Sequence, residues 1–140
     1  MAKLMQLEVI TPDKSLLVRQ DVSYVLAETV IGGVGILANH APLIATLTEG
    51  PLKYQDETGA LHFVYVEGGF MEVGNNKVTI LSVDAEDAAD IDVEKNQHRV
   101  EAAQKKLANL EPTTDIVAAA KRLRCAKARL KTVERAQARR

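Results

Sequence analysis

The chain is poor in the residues that carry most site chemistry. It has one cysteine, Cys125, no tryptophan, three histidines and five aromatic side chains in 140 residues. A lone cysteine closes no internal disulfide and has no second thiol with which to share a metal, which fits a reducing compartment. His40, His62 and His98 lie too far apart for metal-ligand spacing, so no metal is expected. Ser15, Ser23 and Ser82 have no nucleophile-elbow context. No apolar run approaches the ~18 residues that a membrane span needs. The opening Met1-Ala2-Lys3-Leu4 leads into strand-like sequence without a charged-then-apolar leader, so export is not expected.

Glycine and aromatic residues are also absent from one end. All eight glycines lie at or before Gly74, all five aromatics at or before Phe70, and neither Gly nor Pro follows Pro112. Charge divides in the same region. Residues 1–90 carry five basic and thirteen acidic side chains, a net of −8, while 91–140 carry thirteen basic and six acidic, a net of +7. Fields of opposite sign imply that the halves attract each other or different partners. We therefore expect two units, residues 1–86 and 87–140.

The first unit reads as short strands between turn signals. Met5, Leu7 and Val9 alternate with Gln6 and Glu8, and Thr11-Pro12-Asp13 is a turn. Ser15–Arg19, Val22–Glu28, Pro51–Glu57, Ala60–Val66, Gly69–Val73 and Lys77–Val83 follow as strand candidates. Asp56-Glu57-Thr58-Gly59 and Gly74-Asn75-Asn76 connect them as hairpins. Gly32-Gly33-Val34-Gly35 is the most phosphate-like stretch, but it lacks the Lys-Ser/Thr of a P-loop and reads as a tight bend. The acidic run Asp84–Asp90 lacks calcium-loop spacing and reads as a solvated linker and helix start. About eight to ten short strands without an intervening long helix argue for a sandwich or flattened barrel.

The second unit changes period. Val93, Val100, Ala103, Leu107 and Leu110 form one near-heptad seam, and Ile116, Ala119, Leu123, Ala126, Leu130 and Val133 a second. Pro112 ends the first helix and Thr113 or Thr114 caps the next, so the two run antiparallel as a hairpin. Its alanine-heavy seam makes it marginal alone and dependent on a docking surface. The fold class expected is α+β with segregated parts. On the second helix Lys121, Arg122, Arg124, Lys127, Arg129, Lys131, Arg135, Arg139 and Arg140 face only Asp115 and Glu134. Such a run is either a solvated face or a surface for an acidic partner, nucleic acid or protein. The absence of interleaved aromatics and the acidic attached domain weaken nucleic acid.

The ordered series Gly35-Ile36-Leu37-Ala38-Asn39-His40-Ala41-Pro42-Leu43-Ile44, Leu47-Thr48-Glu49-Gly50-Pro51-Leu52 and Glu67-Gly68-Gly69-Phe70-Met71-Glu72-Val73 resembles the epsilon subunit of F-type ATP synthases. The likeness continues through Val78-Thr79-Ile80-Leu81 and Ala85-Glu86-Asp87-Ala88 to Ile91-Asp92 and covers essentially the whole chain. It implies a rotor-stalk part with no active site of its own. Its β-sandwich would fasten the stalk to the membrane rotor ring and pack on the gamma subunit. Its hairpin would fold against the sandwich or extend along gamma into the alpha/beta head, where it opposes ATP hydrolysis. By this likeness Gly32, Gly33, Val34, Gly35 and Ile36 touch the ring, and His40, Ala41, Pro42 and Leu43 lie near gamma. Lys121, Arg122, Arg124, Lys127, Arg129 and Lys131 carry the inhibitory contacts to acidic residues of a beta-subunit loop. The location implied is peripheral, at the cytoplasmic face of a bacterial cell membrane, with a chloroplast thylakoid the alternative.

Some members of that family bind ATP where sandwich meets hairpin. Glu86, Ile91, Asp92 and Arg129 match that pattern, but Lys95-Asn96 replaces Arg-Ala and Cys125 stands where another arginine would help. Lysine does not reproduce a bidentate guanidinium–phosphate contact, so the resemblance implies weak ATP binding or none, and no required cofactor. Ala38-Asn39-His40 departs from the commoner Pro-Gly-His, with Asn able to take the left-handed backbone. Two rival readings stand beside this one: a β-domain whose basic tail binds nucleic acid, and a nucleotide sensor whose tail closes over ATP.

Overall fold

The computed structural model describes residues 3–138. The alternation of the first segment buries Met5, Leu7 and Val9 and leaves Gln6 exposed, forming β1 (Met5–Ile10). β2 (Ser15–Thr29), β3 (Gly32–Leu37), β4 (Leu43–Asp56), β5 (Leu61–Gly74), β6 (Lys77–Leu81) and the short β7 (Ala85–Asp87) follow. The pairing runs β1-β6-β5-β4-β2, and β2 also pairs β1, so the sheet closes into a flattened barrel. β1 and β6 are parallel, and the other pairs are antiparallel. β3 hangs on β2, and β7 on β5. Leu7, Val9, Val22, Val25, Leu52, Met71, Val78 and Ile80 fill the interior and are fully buried.

These are seven strands, fewer and longer than the sequence suggests. Ser15–Arg19 and Val22–Glu28 are one strand. The polar Arg19-Gln20-Asp21 does not break it, because Arg19 Nε and Nη2 donate to the two Asp21 carboxylate oxygens at 2.9 and 2.7 Å. β2 then serves β1 with its first half and β3 and β4 with its second. β4 likewise runs straight through Gly50-Pro51. Pro51 falls where the β2–β4 ladder shifts register, between Lys53 opposite Leu26 and Leu47 opposite Thr29, so its missing N–H costs no ladder bond there. The expected bend at Gly32–Ile36 is instead strand β3, and the turn sits one step earlier at Val30-Ile31. Thr29 locks that turn, its Oγ1 donating to the Gly32 carbonyl at 2.7 Å and accepting from the Ile31 N–H at 3.2 Å.

Two turns are as read. Asn75 and Asn76, at φ 51° and 57°, join β5 to β6 in a two-residue connection of the kind that needs positive φ at both positions. The β4–β5 connection is held by Asp56, which accepts from the Thr58 N–H at 2.8 Å, the Ala60 N–H at 3.2 Å and His62 Nε2 at 2.8 Å. The last strand pair, Val64 with Asp87, lies one residue past the expected boundary at 86.

After a 3-10 turn at Ala88–Asp90 come α1 (Val93–Ala108) and α2 (Ile116–Gln137). Asp92 caps α1 by accepting from the Lys95 N–H at 3.0 Å. Asp115, not Thr113 or Thr114, caps α2 by accepting from the Ala118 N–H, and Thr114 closes the loop by accepting from the Glu111 N–H. The hairpin is folded down: α2 lies on β4 and β5, and α1 packs on α2. The seams are shorter than expected. Ala103, Ala119, Ala126 and Val133 are buried, whereas Leu110 and Ile116 stay exposed beyond the helix contact. α2 is buried on a second stripe as well, through Cys125, Ala128 and Thr132, because it has the sheet on its other side. Arg139 and Arg140 lie outside the described residues.

Gly69 tests the closure of the barrel. At φ +97° it brings β5 so close to β6 that an added Cβ would overlap the Leu81 carbonyl. Gly69→Ala is expected to cost about 2 kcal/mol or more, and Gly35→Ala, with open space around it, under about 0.5 kcal/mol. Urea denaturation midpoints of the two variants check this. Asp56 gives a pH test. Hydrogen bonds from His62, then Thr58, hold its carboxyl well below the usual carboxylate range. Its contribution is therefore complete above the unfolded-state pKa and is lost as pH falls through the lower folded-state value. Asp56→Asn should lower the melting temperature at neutral pH, and the gap to the parent chain should close in strong acid. A gap that persists there would show that ionisation is not the cause.

Candidate functional site

The meeting of α2 with the sandwich concentrates the charged chemistry of the molecule. β5 carries Tyr65 and Glu67 toward α2, while Asp84 comes from just before β7 and Glu86 from within it. Arg129 reaches them from α2. Its Nη2 donates to Asp84 Oδ2 at 2.8 Å and lies 3.8 Å from Glu67 Oε1, and its Nε is 3.7 Å from Glu86 Oε1. The guanidinium lies over the Tyr65 ring, 4.3 Å from its centroid. Its side chain is 13% exposed.

A second layer fixes the carboxylates. The Tyr65 hydroxyl donates to Glu67 Oε1 at 2.9 Å. The Glu67 N–H donates to Ser82 Oγ at 3.0 Å, and that hydroxyl donates to the Asp84 carbonyl at 2.7 Å. Burial pushes the Glu86 carboxyl and the Tyr65 hydroxyl up from their ordinary pKa values, with Arg129 opposing both shifts. Beneath α2, Tyr65, Ile91, Cys125, Ala128 and Val133 form a small core separate from the barrel. Burial raises the Cys125 thiol too. Farther along, Arg124 Nε donates to Glu49 Oε1 at 2.9 Å, with both side chains more open to solvent.

The expected basic face is thus divided. Lys121, Arg122, Lys127 and Lys131 are exposed, Arg124 is exposed but paired, and Arg129 is withdrawn into the interface. Of the residues expected at an ATP site, Glu86, Ile91 and Arg129 come together around Tyr65. Asp92 does not join them: its carboxylate caps α1 and its carbonyl accepts from Asn96 Nδ2 at 2.8 Å. Beside Arg129 opens a cleft of about 430 Å³ between the helices, lined by Arg99, Lys106, Lys121, Arg122 and Glu67 among others. Arg99 and Lys106 escape the sequence reading. Their spacing on α1, seven apart, is the signal that would have found them.

Of the expected ring-contact residues, Gly32, Gly33 and Gly35 are exposed and Val34 half-buried. Ile36 is a correction: it is 1% exposed, its side chain in the barrel core, so it offers no outer contact. The outermost residues of that hairpin are Val30 and Ile31, 62% and 85% exposed. His40, Ala41 and Pro42 are exposed, with His40 Nδ1 2.6 Å from the Ala41 carbonyl oxygen, and Leu43 is half-buried against the core. An apolar strip that the sequence reading misses, Ile10, Pro12, Phe70, Leu81 and Val83, crosses the outside of β1, β5 and β6. Phe70 and Leu81 face each other across that pair of strands, outside the barrel.

Residues 4–88 match the family described as "ATP synthase, Delta/Epsilon chain, beta-sandwich domain". The "ATP synthase epsilon chain" of Nitratidesulfovibrio vulgaris (strain DP4) is 39% identical over 131 residues, covering 94% of this chain and 96% of that protein. The "ATP synthase epsilon chain, sodium ion specific" of Propionigenium modestum is 36% identical over 129 residues, covering 92% and 93%. A chain in a cryo-EM structure of the Euglena gracilis mitochondrial ATP synthase, comprising OSCP, F1 and the c-ring, matches 99% of this chain and 81% of its own length, with a TM-score of 0.70 and 26% identity. A barrel closed through the Gly68-Gly69 kink, a folded-down hairpin and relatives aligned over nearly their full length agree, and the chain belongs to the epsilon-chain family of ATP synthases.

Proposed function

We propose that the chain works as a non-catalytic part of the rotor stalk, transmitting ion-driven rotation and using its hairpin to restrain ATP hydrolysis. The observation that carries this reading is the divided basic face. α2 is docked, yet Lys121, Arg122, Lys127 and Lys131 still face solvent, while the cations that are paired meet sandwich carboxylates. A helix held through alanine and charge can exchange its acidic partner for another without unmaking a large apolar core.

The other surfaces fit the same assignment. Val30 and Ile31, with the exposed glycines of β3, form an apolar projection toward the rotor ring. The strip of Phe70, Leu81 and Val83, together with the loop His40–Leu43, supplies the face for gamma. No helix among the described residues is long and apolar enough to cross a membrane. The attachment proposed is therefore peripheral, through the complex, at the cytoplasmic side of a bacterial membrane. The coupling ion, proton or sodium, is handled by the ring. A tail that binds nucleic acid is disfavoured, because Arg124 and Arg129 are already committed to carboxylates of the same chain.

The barrel core and the small core under α2 are separate clusters, so removing the hairpin leaves the barrel interior whole. Deleting residues 88–140 is expected to preserve assembly and to raise ATP hydrolysis by the whole complex about fivefold or more. Hydrolysis unchanged in an assembled complex would remove the brake from this reading.

A second reading, ATP binding between sandwich and hairpin, draws on the cationic cleft beside Arg129. The residues fit a polyphosphate better than a nucleoside: the described lining has cations but no aromatic ring. Calorimetry of the whole chain with magnesium and ATP is expected to give a Kd no tighter than about 1 mM, or about −4 kcal/mol. A Kd in the micromolar range would establish the chain as a nucleotide sensor.

A further inference from the structure

The hairpin's hold on the sandwich combines a small apolar cluster with one enclosed guanidinium. Most side chains that α2 buries toward the sheet are small, Cys125, Ala128 and Thr132 with Val133 beyond them, and Thr132 spends its hydroxyl on the Ala128 carbonyl at 2.8 Å. With Tyr65 and Ile91, Cys125, Ala128 and Val133 form a cluster of five buried hydrophobic residues, against seventeen in the barrel core. Arg129 stands in the middle of that stripe, four residues after Cys125 and three before Thr132, and is the cation of α2 most enclosed among the described residues.

Its surroundings carry more negative charge than it neutralises. Glu67 comes from β5, Asp84 from the segment before β7 and Glu86 from β7, each within 4 Å, so one positive charge meets three carboxylates. The socket is also built in advance of the arginine. Tyr65 orients Glu67, and Ser82 ties the Glu67 amide to the Asp84 carbonyl, all within the sandwich. An acidic, pre-oriented site for a guanidinium is what an acidic partner protein would offer the same helix.

Resting on the brake reading above, we propose that Glu67, Asp84 and Glu86 form a decoy of the partner's acidic surface, so that the sandwich and the partner compete for Arg129. Two consequences of opposite sign follow. Neutralising the socket frees Arg129 for the partner and deepens inhibition. Removing the guanidinium frees the hairpin but takes away a contact that the partner needs, and inhibition weakens.

The lone thiol gives a direct readout of docking, because Cys125 is buried on the side of α2 that meets Tyr65 and Ile91 in the folded-down hairpin. In the full chain, reactivity of Cys125 toward dithionitrobenzoate is expected to rise about tenfold in the triple variant Glu67→Gln, Asp84→Asn, Glu86→Gln, and by a similar factor in Arg129→Met. In the assembled complex the triple variant should lower ATP hydrolysis and Arg129→Met should raise it. The opposed signs separate competition from simple loss of folding, which would move both variants the same way. Thiol reactivity unchanged in the triple variant would overturn the proposal outright. A rise in reactivity without deeper inhibition, in a complex where deleting the hairpin does raise hydrolysis, would overturn the competition. If that deletion leaves hydrolysis unchanged, the brake reading fails and competition for a partner fails with it, whereas the thiol measurement still decides whether the socket holds the hairpin.

Discussion

The kink at Gly68-Gly69 is the constraint on which the rest of the molecule hangs. Both residues take positive φ, 67° and 97°, a conformation that glycine adopts freely and most residues with a Cβ avoid. On one side of the kink β5 pairs with β7, and on the other with β6, while β4 follows it in constant register throughout. Barrel closure runs through the β6 side, since β6 carries the sheet on to β1. The latch for the hairpin lies on the β7 side, where Tyr65 and Glu67 reach Arg129 and where β7 brings in Glu86. One local backbone requirement therefore sets both the shape of the core and the position of the acidic socket.

The charge asymmetry of the chain acquires a structural meaning from that arrangement. An exposed pair such as Arg124–Glu49 contributes little, about 0–1 kcal/mol, because water and salt screen it. Arg129 is different in kind. It is withdrawn from solvent, bonded to Asp84 and stacked on Tyr65, so its removal would leave a set of carboxylates facing one another without a counter-charge. The attraction between an acidic first unit and a basic second one is real, yet it is focused on one residue rather than spread along the helix.

Local signals in the sequence were legible where a single rule decides the outcome. Met5, Leu7 and Val9 alternate and are buried, Asn75-Asn76 turns, and Pro112 separates two helices. Continuity of strands was not legible, because polarity at Arg19-Gln20-Asp21 looks like a loop until the two charges are seen to satisfy each other. The inward orientation of Ile36 was hidden by the glycines around it, which read as a bend but lie in a paired strand. In the candidate site, Glu86, Ile91 and Arg129 were found as neighbours, while Asp92 was lost to a helix cap that its position just before α1 explains. The burial of Arg129 was missed for a reason of period. In a list of cations it is one of many, but it alone interrupts the stripe of Cys125, Ala128 and Thr132.

That stripe also explains why the hairpin suits a conditional role. α2 is covered on both sides, by α1 and by the sheet, and close approach on both sides requires small side chains. Alanine satisfies this requirement, but each buried methyl contributes only about 0.8 kcal/mol. Larger residues such as leucine on the sheet side would hold the hairpin more firmly and would push α2 away from Tyr65, beyond the reach of Arg129 to its carboxylates. Tight docking by apolar contact and docking by an ion-paired arginine are therefore alternatives at this interface. Here the apolar contact is kept to the cluster of Tyr65, Ile91, Cys125, Ala128 and Val133, and the ion-paired Arg129 supplies the directional part of the hold.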